Sequence, residues 1–90
     1  MYEWDEAKRE ANLKKHGLDF YAAHFVYEDP RKLTSRLKSK QEVRLLDLAL
    51  VEIKGAIFAL VYTMRNGNIR FISFRYASRK ERRRYAASKT

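Results

Sequence analysis

The 90-residue sequence has no cysteine, one proline and three glycines, and its acidic residues number only 11 against 20 lysines and arginines. The absence of cysteine excludes disulfides, thiolate metal sites and a cysteine nucleophile, and it fits a reducing compartment. No apolar run approaches the ~18 residues that a membrane-spanning helix requires. The first six residues contain three acids and no lysine or arginine, unlike those of a signal peptide. We therefore expect a cytoplasmic protein without a membrane segment.

Positive charge is concentrated in the last third of the chain. Residues 65–90 contain nine Lys/Arg and one acid, a net charge of +8, whereas residues 1–64 contain eleven Lys/Arg and ten acids, a net charge of +1. Nearly all of the formal charge of +9 therefore belongs to one structural unit. Such a concentration is typical of proteins that contact a phosphate backbone.

Local signals predict two N-terminal helices. Asp5 is a suitable N-cap for a helix that ends at about His16, and Gly17 can adopt the left-handed conformation that follows a helix. Asp19 is the N-cap of a second helix, which we expect over residues 20–27 because its apolar residues share one face.

The middle of the chain changes from helical to extended periodicity. Residues 1–4 are compatible with a short edge strand, and the polar residues 31–42 with a loop or a weak strand. Val43–Val51 and Ala56–Met64 are predicted strands.

The dipeptide Asn66-Gly67 is the strongest local signal in the sequence. It predicts a two-residue type I′ hairpin, because both central residues of that turn need positive φ. Regular pairing from this turn would set residue 60 opposite residue 73 and would place Arg70 and Arg75 on opposite faces of the sheet.

A capping box at Ser78 and Glu81 predicts a last helix that continues to about Ala87. Its apolar face is thin, consisting chiefly of Tyr85 and Ala86, so the helix must dock on the sheet to be stable. Together the elements predict a small α+β fold in one domain, residues 1–90, with two N-terminal helices, an antiparallel sheet of three or four strands and a C-terminal helix.

Residues in both halves of the chain resemble those of a known family. In the N-terminal half they are Trp4-Asp5, Lys8, Asn12, Lys15-His16-Gly17, Phe20, Phe25 and Asp29. In the C-terminal half they are Arg44, Ile69-Arg70, Ile72-Ser73, Arg75, Ala77-Ser78, Glu81-Arg82 and Tyr85. In this combination the sequence resembles the BrnT toxins over almost its full length.

The resemblance implies a toxin of a type II toxin–antitoxin module with a RelE-like fold and a ribonuclease activity that arrests translation. It also implies a BrnA-like antitoxin with a ribbon-helix-helix part. The antitoxin dimer would join two toxins in a heterotetramer and would make the only contact with operator DNA.

The sequence departs from the family pattern at four positions. Ala49 replaces a usual Gly, Tyr62 a common His, Met64 a common acid, and Tyr76 a second Arg after Arg75. These departures bear on catalytic strength, above all on a base in the central strand, and leave the fold prediction unchanged.

Cleavage of RNA without a metal needs a base for the 2′-hydroxyl, cations for the phosphorane oxygens and an acid for the leaving 5′-oxygen. The sequence has no His-x-x-x-His pair and few clustered carboxylates, so we expect no metal site and no cofactor. The candidate catalytic residues are Lys15, His16, Arg70, Arg75, Glu81 and Tyr85. The candidate RNA-binding residues are Arg44, Arg79, Arg82 and Arg83.

Two of these candidates lie at the end of the first helix. His16 is either a base or acid, with a pKa raised by the helix C-terminus, or a residue that caps the last carbonyls. Lys15 either neutralises a phosphate or is a solvated cation.

The remaining candidates have structural alternatives too. Glu81 is either a general base or part of the capping box, and Tyr85 is either a proton donor or stacking platform or the anchor of its helix. Arg70 and Arg75 either bind phosphate or pair with acids. Arg44 either joins the cationic site or pairs with Glu42 or Asp47.

Three functions are compatible with the residues. The first is a metal-independent endoribonuclease toxin. The second is a non-catalytic RNA- or partner-binding module that uses the same cations, and the third is a degenerate toxin that acts as a scaffold for its antitoxin.

Overall fold

The computed structural model describes residues 1–38, 42–51 and 54–90. Its elements are β1 (Tyr2–Glu3), α1 (Glu6–His16), a 3-10 turn (Phe20–Ala22), α2 (His24–Tyr27), β2 (Leu33–Leu37), β3 (Arg44–Val51), β4 (Ala56–Arg65), β5 (Asn68–Tyr76) and α3 (Arg79–Ser88). They form one five-stranded sheet in the order β1-β5-β4-β3-β2, in which only the β1–β5 pair is parallel among the described strands.

The predicted α+β class is confirmed, but the predicted sheet of three or four strands is too small. The polar residues 31–42, for which the sequence predicts a loop or a weak strand, contain β2, which pairs with β3 along its whole length. Within the described ranges, no helix combines the length and apolar character needed to cross a membrane.

The caps of α1 follow the predicted chemistry. The side chain of Asp5 accepts a hydrogen bond from the backbone N–H of Lys8, and Gly17 has a φ of 72°. The predicted continuous second helix is wrong, because the chain forms a 3-10 turn before α2. In that turn the N–H of Ala22 bonds to the carbonyl of Asp19 three residues earlier, which is the tighter 3-10 spacing.

The sheet buries both of its faces. On one face, here called the α2 face, Phe20 and Val26 pack against Leu60 and Phe71. The other face, here called the α3 face, is covered by α3, whose Tyr85 belongs to the core formed by Leu46, Leu48, Ala59, Val61 and Ala77. Because the central strands lie between the two cores, residues 58–63 of β4 are all buried.

The β4–β5 hairpin has the predicted turn, since Asn66 and Gly67 have φ values of 53° and 78°. Its register is regular only as far as Tyr62 opposite Phe71. Val61 then lies opposite Ser73, so Ile72 is the extra residue of a β-bulge.

The bulge corrects two predictions. Leu60 is opposite Phe74, not residue 73, because one residue of β5 has no partner on β4. Arg70 is opposite Thr63 and Arg75 is opposite Ala59. Thr63 and Ala59 are four residues apart on β4, so both arginines lie on the α3 face and not on opposite faces.

The side chain of Asn12 connects α1 to the sheet. Beyond the short β1, α1 lies along the edge of β5, and the Nδ2 of Asn12 donates to the carbonyl of Phe74 at 2.7 Å. The Oδ1 of Asn12 accepts from the N–H of Phe74 at 3.0 Å. Asn12 therefore gives this residue of β5 the pair of hydrogen bonds that a neighbouring strand would give.

Candidate active site

A shallow cleft of about 230 Å³ lies between α1 and β5. It is lined by Lys8, Ala11, Asn12, Lys15, His16, Ile72 and Ser73. The two lysines are seven residues apart and therefore lie on the same side of α1. The bulge forms the floor, and Ile72 also packs against the core of the α3 face, so the cleft opens on that face.

His16 is at the C-terminal end of α1, where the cleft approaches β5. Its pKa is lowered below the ordinary value of 6.5, first by partial burial and then by the positive charges of Lys15 and Arg75. The prediction that the helix C-terminus would raise this pKa is wrong, because burial and two neighbouring cations all disfavour the charged form of the imidazole. His16 is therefore mostly neutral at pH 7 and can accept a proton.

Arg75 is held beside this end of the cleft by Glu81. Its Nη1 and Nη2 donate to the two carboxylate oxygens of Glu81 at 2.7 and 3.0 Å. Glu81 also accepts from the backbone N–H of Ser78 and so completes the predicted capping box of α3. The arginine holds the pKa of Glu81 down to about 2, and Glu81 raises that of Arg75.

These contacts favour one of the two alternatives for Glu81. A carboxylate with a pKa of about 2 is a weak proton acceptor at neutral pH, and both of its oxygens are occupied by the guanidinium. Glu81 is therefore placed to orient Arg75 and to cap α3. The guanidinium keeps further N–H groups for an anion, because Glu81 engages only one edge of its fork.

Arg70 and Arg44 lie at the other end of the α3 face. The Nη1 of Arg70 donates to Glu3 at 2.6 Å, and the Nε of Arg44 is 3.5 Å from a carboxylate oxygen of Glu42. Arg44 therefore pairs with Glu42, one of the two partners predicted for it. Asp47, the second, is on the opposite face and bonds to Lys32.

The remaining candidates are on α3. Tyr85 is 7% exposed and lies in the core, which favours its role as the anchor of the helix over a role in proton transfer or stacking. Arg79 and Arg83 are exposed, and Arg82 donates to the carbonyl of Ala77 at 2.9 Å. The structure thus brings Lys15, His16 and Arg75 together, whereas Arg79, Arg82, Arg83 and Tyr85 lie on α3 and do not line the cleft.

Sequence reasoning missed Lys8 and Ser73 as lining residues of the cleft. Lys8, Asn12 and Lys15 occupy one face of α1 at intervals of four and three residues, and this spacing was visible in the sequence. Ser73 could not be assigned to the cleft without the bulge that turns it toward the α3 face.

The residues that the structure describes contain no group of three or more His, Cys, Asp or Glu side chains arranged to hold a metal ion. The chemistry available at the cleft is that of a neutral imidazole, two ammonium groups and an oriented guanidinium.

Most of the chain, including the residues that line this cleft, matches a known family model. Residues 4–81 match the family model described as the ribonuclease toxin BrnT of type II toxin–antitoxin systems. A comparison with curated protein sequences gave no match. The matched range contains every residue of the cleft together with Arg75 and Glu81.

Proposed function

Because the chain belongs to the BrnT family of ribonuclease toxins of type II toxin–antitoxin systems, we propose that it is an endoribonuclease that cleaves RNA in the cleft between α1 and β5. The observation that carries the proposal is the proximity of a neutral His16 to Lys15 and to the oriented guanidinium of Arg75. These groups supply a base and the cations that a phosphorane dianion needs.

In the proposed reaction, the imidazole of His16 removes the proton of a 2′-hydroxyl. The 2′-oxygen attacks the adjacent phosphorus, and the bond from phosphorus to the 5′-oxygen breaks to leave a 2′,3′-cyclic phosphate. Arg75 and Lys15 stabilise the negative charge on the non-bridging oxygens, and the ammonium of Lys15 donates a proton to the leaving 5′-oxygen. No step requires a metal or a cofactor, so we propose metal-independent cleavage.

Glu81 acts through Arg75 in this scheme. Its bidentate contact fixes the guanidinium plane before RNA arrives, so less side-chain freedom is lost when the phosphate binds. Tyr62, which replaces a common His of the family pattern, lies on the α2 face, where its hydroxyl donates to the buried carboxylate of Asp47 at 3.1 Å. The presence of Tyr instead of His at position 62 therefore changes none of the residues that line the cleft.

A His16→Ala variant tests the proposal directly. We expect cleavage of single-stranded RNA in the presence of a chelator to fall by about 10²–10⁴-fold, the usual contribution of a positioned base. His24→Ala is the matched control, because His24 lies at the start of α2 and bonds to a backbone carbonyl away from the cleft. The wild-type rate should rise with pH while His16 loses its proton, and the midpoint of this rise should lie below the ordinary imidazole pKa of 6.5.

Two results would contradict the proposal. RNA that is bound but not cut by the wild-type protein would support the non-catalytic binding module. Equal loss of cleavage in the His16→Ala and His24→Ala variants would show that the imidazole of His16 has no particular role.

Family membership also implies an antitoxin partner. We propose a BrnA-like antitoxin with a ribbon-helix-helix part that dimerises, joins two toxins in a heterotetramer and alone contacts operator DNA. Arg79 and Arg83, two of the exposed cations of α3, have no ion-pair partner among the described residues and suit an acidic segment of such a protein or the RNA backbone. Expression without the antitoxin should arrest translation, and coexpression should restore growth. Unimpaired growth without the antitoxin would instead support the degenerate scaffold.

A further inference from the structure

A second group of arginines occupies the same sheet face as the cleft, at the end near the β4–β5 turn. We propose that Arg44 and Arg70 bind a second phosphate of the RNA strand whose scissile phosphate contacts Arg75. This inference rests on the proposed function, and it makes the substrate a single strand that extends several nucleotides along β5, beside the part of the α3 face that α3 covers.

The strand register places the two arginines in one row. Arg44 of β3 is directly opposite Thr63 of β4, and Thr63 is directly opposite Arg70 of β5. Residues that are opposite each other in adjacent strands project to the same face, and adjacent strands are about 4.8 Å apart. The two guanidinium groups therefore extend from the same side of the sheet, one strand on each side of the small hydroxyl side chain of Thr63.

Arg65, at the end of β4, is close to this row, and together the positive charges outnumber the negative ones. Three arginines, Arg44, Arg65 and Arg70, share the carboxylates of Glu3 and Glu42. Both carboxyl groups have pKa values below the ordinary value of 4.5, Glu3 first because of its hydrogen bond from Arg70 and Glu42 first because of its hydrogen bond from Arg65. They are therefore ionised at pH 7, and the row retains one positive charge in excess.

Arg44 also has a donor without an acceptor. Its Nε is buried, and among the described residues no atom accepts a hydrogen bond from it, since the carboxylate of Glu42 is at the ion-pair distance of 3.5 Å. A buried donor without a partner is unfavourable by about 1–3 kcal/mol, and native proteins rarely keep one without a reason. The Arg44 side chain as a whole is 40% exposed, so a phosphate can contact its guanidinium at the surface, and a small movement of the side chain would then give Nε an acceptor.

The distance between the two sites suits an extended strand. Arg70 and Arg75 are opposite Thr63 and Ala59, which are separated by four residues of β4, or about 13 Å. The floor of the cleft, Ile72 and Ser73, lies between the two arginines on β5. A nucleic-acid backbone that leaves the cleft therefore reaches Arg70 within a few nucleotides. Because the row continues the cleft on the same face, RNA is a better occupant than a separate acidic protein.

The test uses the salt dependence of binding. Each contact between a cation and a phosphate contributes about 0.7 to the slope of log affinity against log salt for a single strand. The slope is to be measured for the full-length protein with a single-stranded 2′-O-methyl oligonucleotide, which cannot be cleaved because it has no free 2′-hydroxyl. Arg44→Gln should lower the slope by about 0.7, and Arg44→Lys, which keeps the charge, should restore it.

Arg36→Gln is the matched control. Arg36 is exposed on β2 and is opposite Leu45, the neighbour of Arg44, so it projects to the opposite sheet face. The same loss of charge there should leave the slope unchanged. Arg70→Gln is a second, independent variant and should lower the slope even if Arg44→Gln does not fold.

An unchanged slope in both Arg44→Gln and Arg70→Gln would overturn the inference. The same unchanged slope together with weakened binding of the antitoxin would assign the row to the protein partner, and would also overturn it. A wild-type protein that shows the Arg44-dependent slope but cuts no RNA would overturn the proposed function and leave this second phosphate site standing.

Discussion

The hydrogen bonds of Asn12 connect the stability of the fold to the shape of the cleft, and replacement by alanine tests both. The side chain makes three contacts, to the carbonyl of Leu18 at 3.0 Å and to the carbonyl and N–H of Phe74 at 2.7 and 3.0 Å. Asn12 is 8% exposed, and water cannot easily replace it at this position.

The expected loss of stability follows from the backbone groups that the substitution leaves without a hydrogen-bond partner. In Asn12→Ala, the N–H and the carbonyl of Phe74 lose their partners at a buried edge, and each unsatisfied group is unfavourable by about 1–3 kcal/mol. The greater helix propensity of alanine returns about 0.5 kcal/mol. The free energy of unfolding should therefore fall by about 2–5 kcal/mol, a large fraction of the roughly 5–13 kcal/mol expected for a domain of 90 residues.

The measurement is urea denaturation at pH 7, with Glu10→Ala as the control because Glu10 is exposed on the same helix. The control should change the free energy of unfolding by no more than about 0.5 kcal/mol. Because Asn12 positions Lys15 and His16 against β5, RNA cleavage by Asn12→Ala should also fall at temperatures where the variant is fully folded. A destabilisation below about 1 kcal/mol, close to that of Glu10→Ala, would refute the role of Asn12 as the substitute for a neighbouring strand.

Two further predictions concern pH. Glu81 has a folded-state pKa of about 2 against 4.5 when unperturbed, so its ion pair with Arg75 should stabilise the protein fully above pH 4.5 and lose this contribution as the pH falls toward 2. With solvent screening, Glu81→Gln should reduce the free energy of unfolding by about 1–2 kcal/mol at pH 7 and by much less at pH 2, and an equal reduction at both pH values would contradict the pairing. Arg75→Gln removes a cation that lowers the pKa of His16, so the NMR titration midpoint of His16 should move up toward 6.5, and an unmoved midpoint would show that the two side chains do not interact.

The features that sequence predicted well depend on neighbouring residues. The caps at Asp5 and Gly17, the positive φ values of Asn66-Gly67 and the capping box of Ser78 are all present. Each depends on a hydrogen bond or a backbone conformation within four residues, and such signals change little with tertiary context.

The features that sequence missed depend on residues that are distant in the chain. The pKa of His16 is lowered partly by Arg75, which is 59 positions away, so the helix dipole alone gave the wrong sign. The edge strand β2 depends on β3 beside it, because its residues alternate between half-buried and exposed and none of them is fully buried. The sequence is compatible with Tyr85 as a catalytic group and as the anchor of its helix. Only the position of α3 on the sheet favours the anchor.

The bulge at Ile72 shows how burial of apolar groups assembles the site. With strict alternation after Phe71, Ser73 would enter the core of the α2 face and Phe74 would leave it, although a buried phenylalanine is worth about 1.5–3 kcal/mol. The bulge lets Phe71 and Phe74 both pack on the α2 face, where they are 2% and 4% exposed, while Ile72 packs on the α3 face. Arg75 then projects to the α3 face as well. Without the bulge, Arg75 would project to the α2 face, whose core contains several aromatic side chains. The bulge that lets the apolar side chains of β5 complete both cores therefore also places Arg75 on the face where Glu81 can orient it and where the cleft opens.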